Sequence, residues 1–263
     1  MIDSILISTD PRGVATVTLN RADKHNAFDE HLIAGLADAF TKLGAEPDLR
    51  AVVLRAAGKN FCAGADIDWM RRAAGYSQAE NHRDAAALAA MLRLLDTLPV
   101  PVIGRVQGSA LGGGSGLVCC CDIVIAATDS TFAFSEVRLG LIPATISPYV
   151  LRSIGPRAAR RWLLTGERFG SQKALEMSLV HEVVDEAGLD HAVESVLDTV
   201  LKCGPAAVRA AKQLIRDVNY QPPGDALIDM TCRRIAEIRA TAEGHEGLTA
   251  FLEKRLPNWV RER

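Results

Sequence analysis

The chain has 263 residues, 48% of them hydrophobic and 24% charged, with a formal net charge of −2. That composition suits a folded protein with a large core and argues against a broad electrostatic footprint for nucleic acid. The beginning, MIDSILISTDPRG, is not expected to be a signal peptide, and no apolar run reaches the ~18 residues of a membrane span.

Ser4–Ser8 and Val14–Leu19 are apolar, β-branched runs joined by TDPRG, so a hairpin is predicted with its turn at Asp10–Gly13. Phe28–Leu43 spaces Leu32, Ile33, Leu36, Phe40 and Leu43 as one helix face. LRAVVLRAAG reads as a buried strand, and the loop KNFCAGADIDWM leads to a long helix from about Ser77 to Leu95. VPVIGRVQG is strand-like, Gly113–Cys121 a short helix, and CDIVIAATDSTFAF a strand, turn and strand. Helices follow at Tyr149–Ile154, Arg157–Leu164, Ser171–Met177, Leu189–Lys202, Ala206–Val218, Asp225–Ala242 and Gly247–Lys254, with one strand at Leu179–Val184. The alternation up to about residue 135 predicts an α/β core, and the rest a helical C-terminal third. YQPPGD, Tyr220–Asp225, is the best corner or hinge. The arginines at Arg71–Arg72 and Arg157–Arg161 fit solvated helix faces.

The six cysteines include a triplet at Cys119–Cys121 but no CxxC pair, which points to buried free thiols in a reducing cytoplasm. The six histidines are scattered, with no HExxH, so no metal site is expected.

Three stretches carry candidate chemistry. ALGGGSGLV, Ala110–Val118, is not a phosphate loop, since it has no lysine, nor a GxSxG elbow, since Leu117 takes the last position. It places glycines at the entrance to a helix, where the first N–H groups lack partners and meet the positive end of the dipole. Gly112–Gly114 therefore either aim a bare N–H at an anionic oxygen or serve tight packing. FCAGAD, Phe61–Asp66, is a small-residue turn that can also expose N–H groups. Two such amides from two loops make an oxyanion hole, in which one donor is worth ~2.7–4 kcal/mol of barrier. In FAFSEVRLGLIP, Glu136 stands at the end of a strand among Phe132, Phe134, Val137 and Leu139. Desolvation there favours the protonated form and suits acid–base work, whereas a cap or surface glutamate is the plain alternative.

NRADKHNAF, GKNFCAGADI, VQGSALGGGSGLVCCCDIVIA, FSEVRLGLIP and EGLTAFLEKRLPNW, in that order over essentially the whole chain, resemble the crotonase (enoyl-CoA hydratase/isomerase) superfamily. The resemblance implies an α/β fold: a crotonase-like spiral of ββα units over residues 1–200, with a helical C-terminal trimerisation region over 201–263. It implies an oxyanion hole made by the N–H groups of Ala65 and Gly113, and an acyl-CoA substrate that carries its own coenzyme A, with no other cofactor. Lys24 would lie near the CoA phosphates and Ala27 beside the pantetheine. Ala63, Asp66 and Ile67 would flank adenine and pantetheine through their backbone. Phe251 and Lys254 would reach CoA, often that of a neighbouring subunit in a trimer or dimer of trimers. No membrane or nucleic-acid partner is implied.

Two features depart from the two-acid hydratases of that family. Their second acid stands three residues after the second oxyanion donor, on the same helix face; this chain has Gly116 there, leaving Glu136 as the single acid. Gly116 is therefore expected to make room for a larger or branched acyl tail. After Pro143 a glycine-rich segment is replaced by ATISPYVLRSIG. GGGSGL with SEVRLGLIPATISPYV looks most like bacterial methylglutaconyl-CoA hydratases and related hydratases of acyclic-terpene breakdown. The implied reaction is hydration of 3-methylglutaconyl-CoA to 3-hydroxy-3-methylglutaryl-CoA in leucine degradation. A tail carboxylate needs a cation, and Arg71, Arg72 and Arg138 are the candidates. The alternatives are a Δ3–Δ2 enoyl-CoA isomerase, an RNA-binding hydratase relative and a catalytically silent acyl-CoA binder.

Overall fold

The computed structural model describes residues 3–219 and 221–260. It divides into two units. The larger runs to Leu98 and resumes over Val102–Glu194; the smaller comprises Pro99–Pro101 and the chain from Ser195 onward.

The larger unit opens with β1 (Ile5–Thr9) and β2 (Val14–Leu19), an antiparallel pair with Ile5 opposite Leu19. Their turn is set by the Asp10 carboxylate, which accepts from the N–H groups of Arg12 and Val14 at 2.8 and 3.1 Å. Helix α1 (Glu30–Ala45) follows, capped by Asp29, and buries the face carrying Leu32, Ile33, Leu36, Phe40 and Leu43. Next come β3 (Ala51–Ala56), α2 (Ile67–Ala73) and α3 (Gln78–Asp96), the last started by a reciprocal Ser77–Glu80 capping box. The chain continues through β4 (Val102–Val106), β5 (Ser109–Leu111), α4 (Gly113–Cys120), β6 (Ile123–Ala127) and β7 (Thr131–Ala133). After a 3-10 turn at Glu136–Leu139 come α5 (Ser147–Thr165), β8 (Arg168–Gly170), α6 (Ser171–Glu176), β9 (Glu182–Val184) and α7 (Leu189–Leu201).

The strands form two sheets. The larger has the order β1-β2-β3-β4-β6-β9 and is parallel from β2 onward. Its central strands are buried on both faces, which is why AVVLRA and VIGRV read as apolar runs rather than alternating ones. The smaller sheet has the order β5-β7-β8. Isolated parallel bridges Cys62↔Ala110 and Phe28↔Ala65 carry it onward beyond β5. Each turn of the spiral thus gives one strand to each sheet, as β4 and β5, or β6 and β7, do. The segments that matter chemically hang from the smaller sheet.

In the smaller unit, α8 (Pro205–Val218), α9 (Asp225–Arg239) and α10 (Ala242–Leu252) follow one another. Gly204 offers no side chain to cap α8. The Glu243 carboxylate does so from α10, accepting from the N–H groups of Ala206 and Ala207 at 2.9 and 2.8 Å. Ile215, Ile228, Ile235, Leu248, Phe251, Leu252 and Leu256 are exposed in the single chain.

Several elements differ from the sequence reading. Residues 67–70, read as the end of a loop, begin α2, because Asp66 caps it by accepting from the N–H groups of Asp68 and Trp69. VPVIGRVQG ends as β4, and the chain bends at Gly108 into β5 in the other sheet. Tyr149–Ile154 and Arg157–Leu164 are one run, broken at Gly155, where φ is 70°. The predicted strand at Leu179–Val184 shrinks to Glu182–Val184, since the N–H groups of Leu179 and Val180 return to the Ala174 carbonyl. Asp225–Ala242 ends at Arg239, and α10 starts earlier than predicted because Thr241 caps it. Tyr220 of the predicted corner lies outside the described residues; residues 221–224 after it are non-helical.

Candidate active site

Phe28 joins the two glycine-containing segments. Its N–H donates to the Gly64 carbonyl at 2.7 Å and its carbonyl accepts from Asp66 N–H at 2.8 Å. In such a parallel bridge Ala65, opposite Phe28, turns its own N–H away to the other side. The Phe28 ring packs under the head of α4: a Cβ on Gly113 would sit 3.0 Å from Cε2. Gly114 presses on the other loop, where a Cβ would sit 2.4 Å from the Cys62 carbonyl oxygen. The glycines thus bring the start of α4 directly onto the FCAGAD turn. Phe28 was read from sequence only as the beginning of a helix. Its aromatic ring at a buried loop-to-helix junction was the available signal.

The amide inventory of this junction is uneven. Phe61, Cys62, Ala63 and Asp66 donate to the carbonyls of Gln107, Ser109, His25 and Phe28. Gly64 and Ala65 have no acceptor among the described residues, nor does Gly113 in the first turn of α4. Ala65 and Gly113 are both half-buried and reachable from outside. Ser115 stiffens α4 by donating to the carbonyls of Ala110 and Ala133 at 2.7 and 3.0 Å. A buried hydroxyl so engaged is a strut, not a nucleophile.

Glu136 lies three residues past β7, at the start of the 3-10 turn rather than at the strand's end. Phe132 and Phe134, both fully buried, pack with Phe169 and fix that turn from behind. Leu139, expected among Glu136's apolar neighbours, is instead exposed. Burial raises the Glu136 carboxyl above its ordinary range, and no cation among the described residues pulls it back. Its Oε2 is buried with no hydrogen-bond partner. Its Oε1 faces Gly112, where a Cβ would come within 3.3 Å. Gly112 holds φ 50° and ψ −120°, a conformation closed to most side chains. One turn therefore sets a carboxyl with one unpartnered oxygen beside the residue that precedes the free Gly113 amide. A half-buried carboxyl that burial makes easier to protonate, set against Gly112 and so near the start of α4, is equipped to move a proton.

Gly116 does not do what its sequence position suggests. A Cβ there would lie 2.4 Å from Ile146 Cγ2 and 3.2 Å from Ile146 Cβ, so it opens no room for an acyl tail. The space is filled by Ile146, from the same ATISPYV segment that departs from the family pattern.

Lys24 is exposed and pairs with Asp68 at 3.3 Å. Ala27 is buried and Ile67 is exposed at the start of α2. The amides of Ala63 and Asp66 are spent internally and the Asp66 carbonyl accepts from Met70 N–H at 2.9 Å, which leaves the Ala63 carbonyl for backbone contact with a ligand. The Asp66 carboxylate caps α2 and pairs with Arg21 at 3.2 Å. Arg71 and Arg72 are engaged on the surface, with Asp68 and, through two 2.8 Å bonds, with Glu30. Arg138 is exposed; its stem runs beside Gly166 and its charge helps lower the Glu167 carboxyl. None of the three arginines stands at Glu136. Phe251, exposed on α10, and Lys254, just past its end, belong to the smaller unit.

The fold and this junction define an acyl-CoA enzyme of the hydratase/isomerase type. The enoyl-CoA hydratase/isomerase family model matches residues 9–262, and the chain belongs to that family. An enoyl-CoA hydratase structure from Shewanella pealeana is 44% identical, with a TM-score of 0.94 and coverage of 98% of this chain and 96% of its own. A Legionella pneumophila enoyl-CoA hydratase/isomerase (crotonase) structure is 39% identical, with a TM-score of 0.94 and coverage of 99% and 100%. Crotonyl-CoA hydratase of Syntrophomonas wolfei is 31% identical, with 98% of each chain covered. These matches bear out the crotonase fold read from the motifs. Among the described residues, no helix is long and apolar enough to cross a membrane.

Proposed function

We propose that the chain adds water across the C2–C3 double bond of a branched 2-enoyl-CoA thioester, with Glu136 as its single acid–base group. The leading substrate is 3-methylglutaconyl-CoA, giving 3-hydroxy-3-methylglutaryl-CoA. The thioester oxygen accepts hydrogen bonds from Ala65 and Gly113. The ionised Glu136 takes a proton from water as its oxygen bonds to C3, and the displaced electron pair moves onto the thioester oxygen. Glu136, now protonated, then returns a proton to C2 as the thioester re-forms. The observation that carries this reading is the buried, unpartnered Oε2 of Glu136 on the turn facing Gly112. A carboxyl that burial makes more basic is suited to both halves of the transfer.

Coenzyme A arrives with the substrate, and no further cofactor or metal takes part. Lys24 is the proposed phosphate contact. The exposed apolar residues of the smaller unit support self-association as a trimer or dimer of trimers, from which Phe251 and Lys254 would reach a neighbour's CoA. The buried thiols of Cys62, Cys119 and Cys120 suit a reducing, cytoplasmic setting, although Cys203 and Cys232, expected to be buried, are exposed.

A tail carboxylate needs a cation, and among the candidates Arg71 and Arg72 are already engaged with Asp68 and Glu30. That observation favours a second reading, an uncharged branched enoyl-CoA. Purified protein should therefore be given 3-methylglutaconyl-CoA, 3-methylcrotonyl-CoA and a 3-enoyl-CoA. Fastest hydration of the first supports the assignment. Preference for the second transfers it to uncharged branched chains. Isomerisation of the third with no hydration of either makes the chain an isomerase.

A further inference from the structure

We infer that Ile146 is the positioning residue that holds this site to one acid: it plugs the place on α4 from which a second carboxylate would enter, and it fixes α4 so that Gly113 stays on the thioester oxygen. The inference rests on the hydration reading above.

Gly112, the non-helical cap of α4, meets Glu136, and four residues on, inside the helix, Gly116 meets Ile146 and Leu92. A Cβ at Gly116 would overlap Ile146 Cγ2 at 2.4 Å and crowd its Cβ at 3.2 Å; Leu92 Cδ2 lies 3.9 Å away. These Ile146 atoms sit at the root of a β-branched side chain and cannot swing clear as the end of a lysine would. Ile146 and Leu92 are 1% and 0% exposed, so the contact is sealed from solvent and from substrate.

The backbone at Ile146 is equally fixed. It precedes Ser147 and Pro148 at the start of α5, its carbonyl accepts from Val150 N–H at 3.0 Å, and Ser147 Oγ donates to the Ala144 carbonyl at 2.8 Å. α4 therefore must yield if a side chain appears at 116. Gly116 N–H makes the first internal bond of α4, to the Gly112 carbonyl at 3.1 Å, so displacement there moves Gly112 and Gly113 directly. The absence of a second acid and the replaced segment after Pro143 are thus one feature. The missing side chain and the isoleucine fill the same volume.

A cycle of variants tests this through melting temperature, kcat and KM. Gly116→Ala should lower the melting temperature and reduce kcat about tenfold with little change in KM, as expected for a displaced oxyanion donor. Ile146→Ala removes Cγ2 and should restore Gly116→Ala to within about threefold of the Ile146→Ala single variant. Ile146→Val keeps Cγ2 and should give no rescue. In Gly116→Glu/Ile146→Ala, the pH profile of kcat should gain a second ionisation that the wild type lacks. Additive effects of Gly116→Ala and Ile146→Ala on melting temperature, or equal rescue by Ile146→Val, would overturn the inference. The melting data need no turnover, so they decide the packing claim even if the wild type hydrates none of the thioesters.

Discussion

Replacing Glu136 by Gln should make the protein more stable and nearly inactive. The wild-type carboxylate leaves Oε2 buried and unpartnered. A buried unsatisfied group costs ~1–3 kcal/mol and more when charged; glutamine is also unpartnered there but neutral, so it escapes only the charged part, about 1 kcal/mol for a half-buried group. For a chain of this size that is a rise in melting temperature of roughly 2–4 °C. The sign depends on pH. Burial raises the folded carboxyl above its ordinary value of 4.5, so the native state holds the proton more tightly than the unfolded one. Stability is then lost as pH rises above that value, and glutamine, which never ionises, escapes the loss. The gain should appear in scanning fluorimetry at about pH 8 and vanish near pH 4, at one protomer concentration because the chain is expected to associate. Hydration should meanwhile fall ~10²–10⁴-fold. A lower melting temperature for Glu136→Gln at pH 8, or an equal gain at both pH values, would refute the reasoning.

Gly112→Ala should cost ~1–3 kcal/mol for a side chain at φ 50°, and its Cβ presses on Glu136 Oε1. Urea unfolding should report that loss, with kcat falling and KM held. Phe28→Ala should cost ~3–5 kcal/mol by leaving a cavity under Gly113; its denaturation midpoint should drop, and kcat should fall with it because both loops lose their shared support. Asp66→Ala should cost ~0.5–2 kcal/mol through loss of the α2 cap. Burial alone would raise Asp66, but the amides of Asp68 and Trp69, with Lys24 and Arg21, bring it below its ordinary value of 3.8. Its contribution is present above that value and lost as pH falls through the lowered one, so wild type and variant should converge in acid.

The elements legible in the sequence are those with a clear period or a clear cap. Val14–Leu19 is predicted and observed with the same bounds, and the helix from about Ser77 is one residue off at each end, because Ser77 and Glu80 mark its start. Helix α2 was missed because FCAGAD reads as a turn and hides Asp66 in its capping role. β5 was missed because three residues carry no period, and only the sheet completed through Cys62 makes them a strand. At the site, the one-acid pattern and the amides of Ala65 and Gly113 came through the family resemblance of the motifs, since the residues alone left packing and a plain turn open. The meeting of Gly116 with Ile146, thirty positions away in sequence, could not, because adjacency across α4 and α5 is a property of packing. Gly116 therefore looked like open space and proved to be filled space. The arginines misled for a related reason: composition shows the cations, but not that Arg71 and Arg72 already have carboxylates.

The central claim is that Glu136 alone moves the proton while water adds to C3 of a branched 2-enoyl-CoA. Hydration of 3-methylglutaconyl-CoA in ¹⁸O-labelled, deuterated water, read by mass spectrometry for wild type and Glu136→Gln, tests it most directly. The wild type should place one ¹⁸O at C3 and one deuterium at C2. Glu136→Gln should bind the thioester with unchanged affinity and form product at least about a hundredfold more slowly. Label incorporation by Glu136→Gln at the wild-type rate would contradict the account.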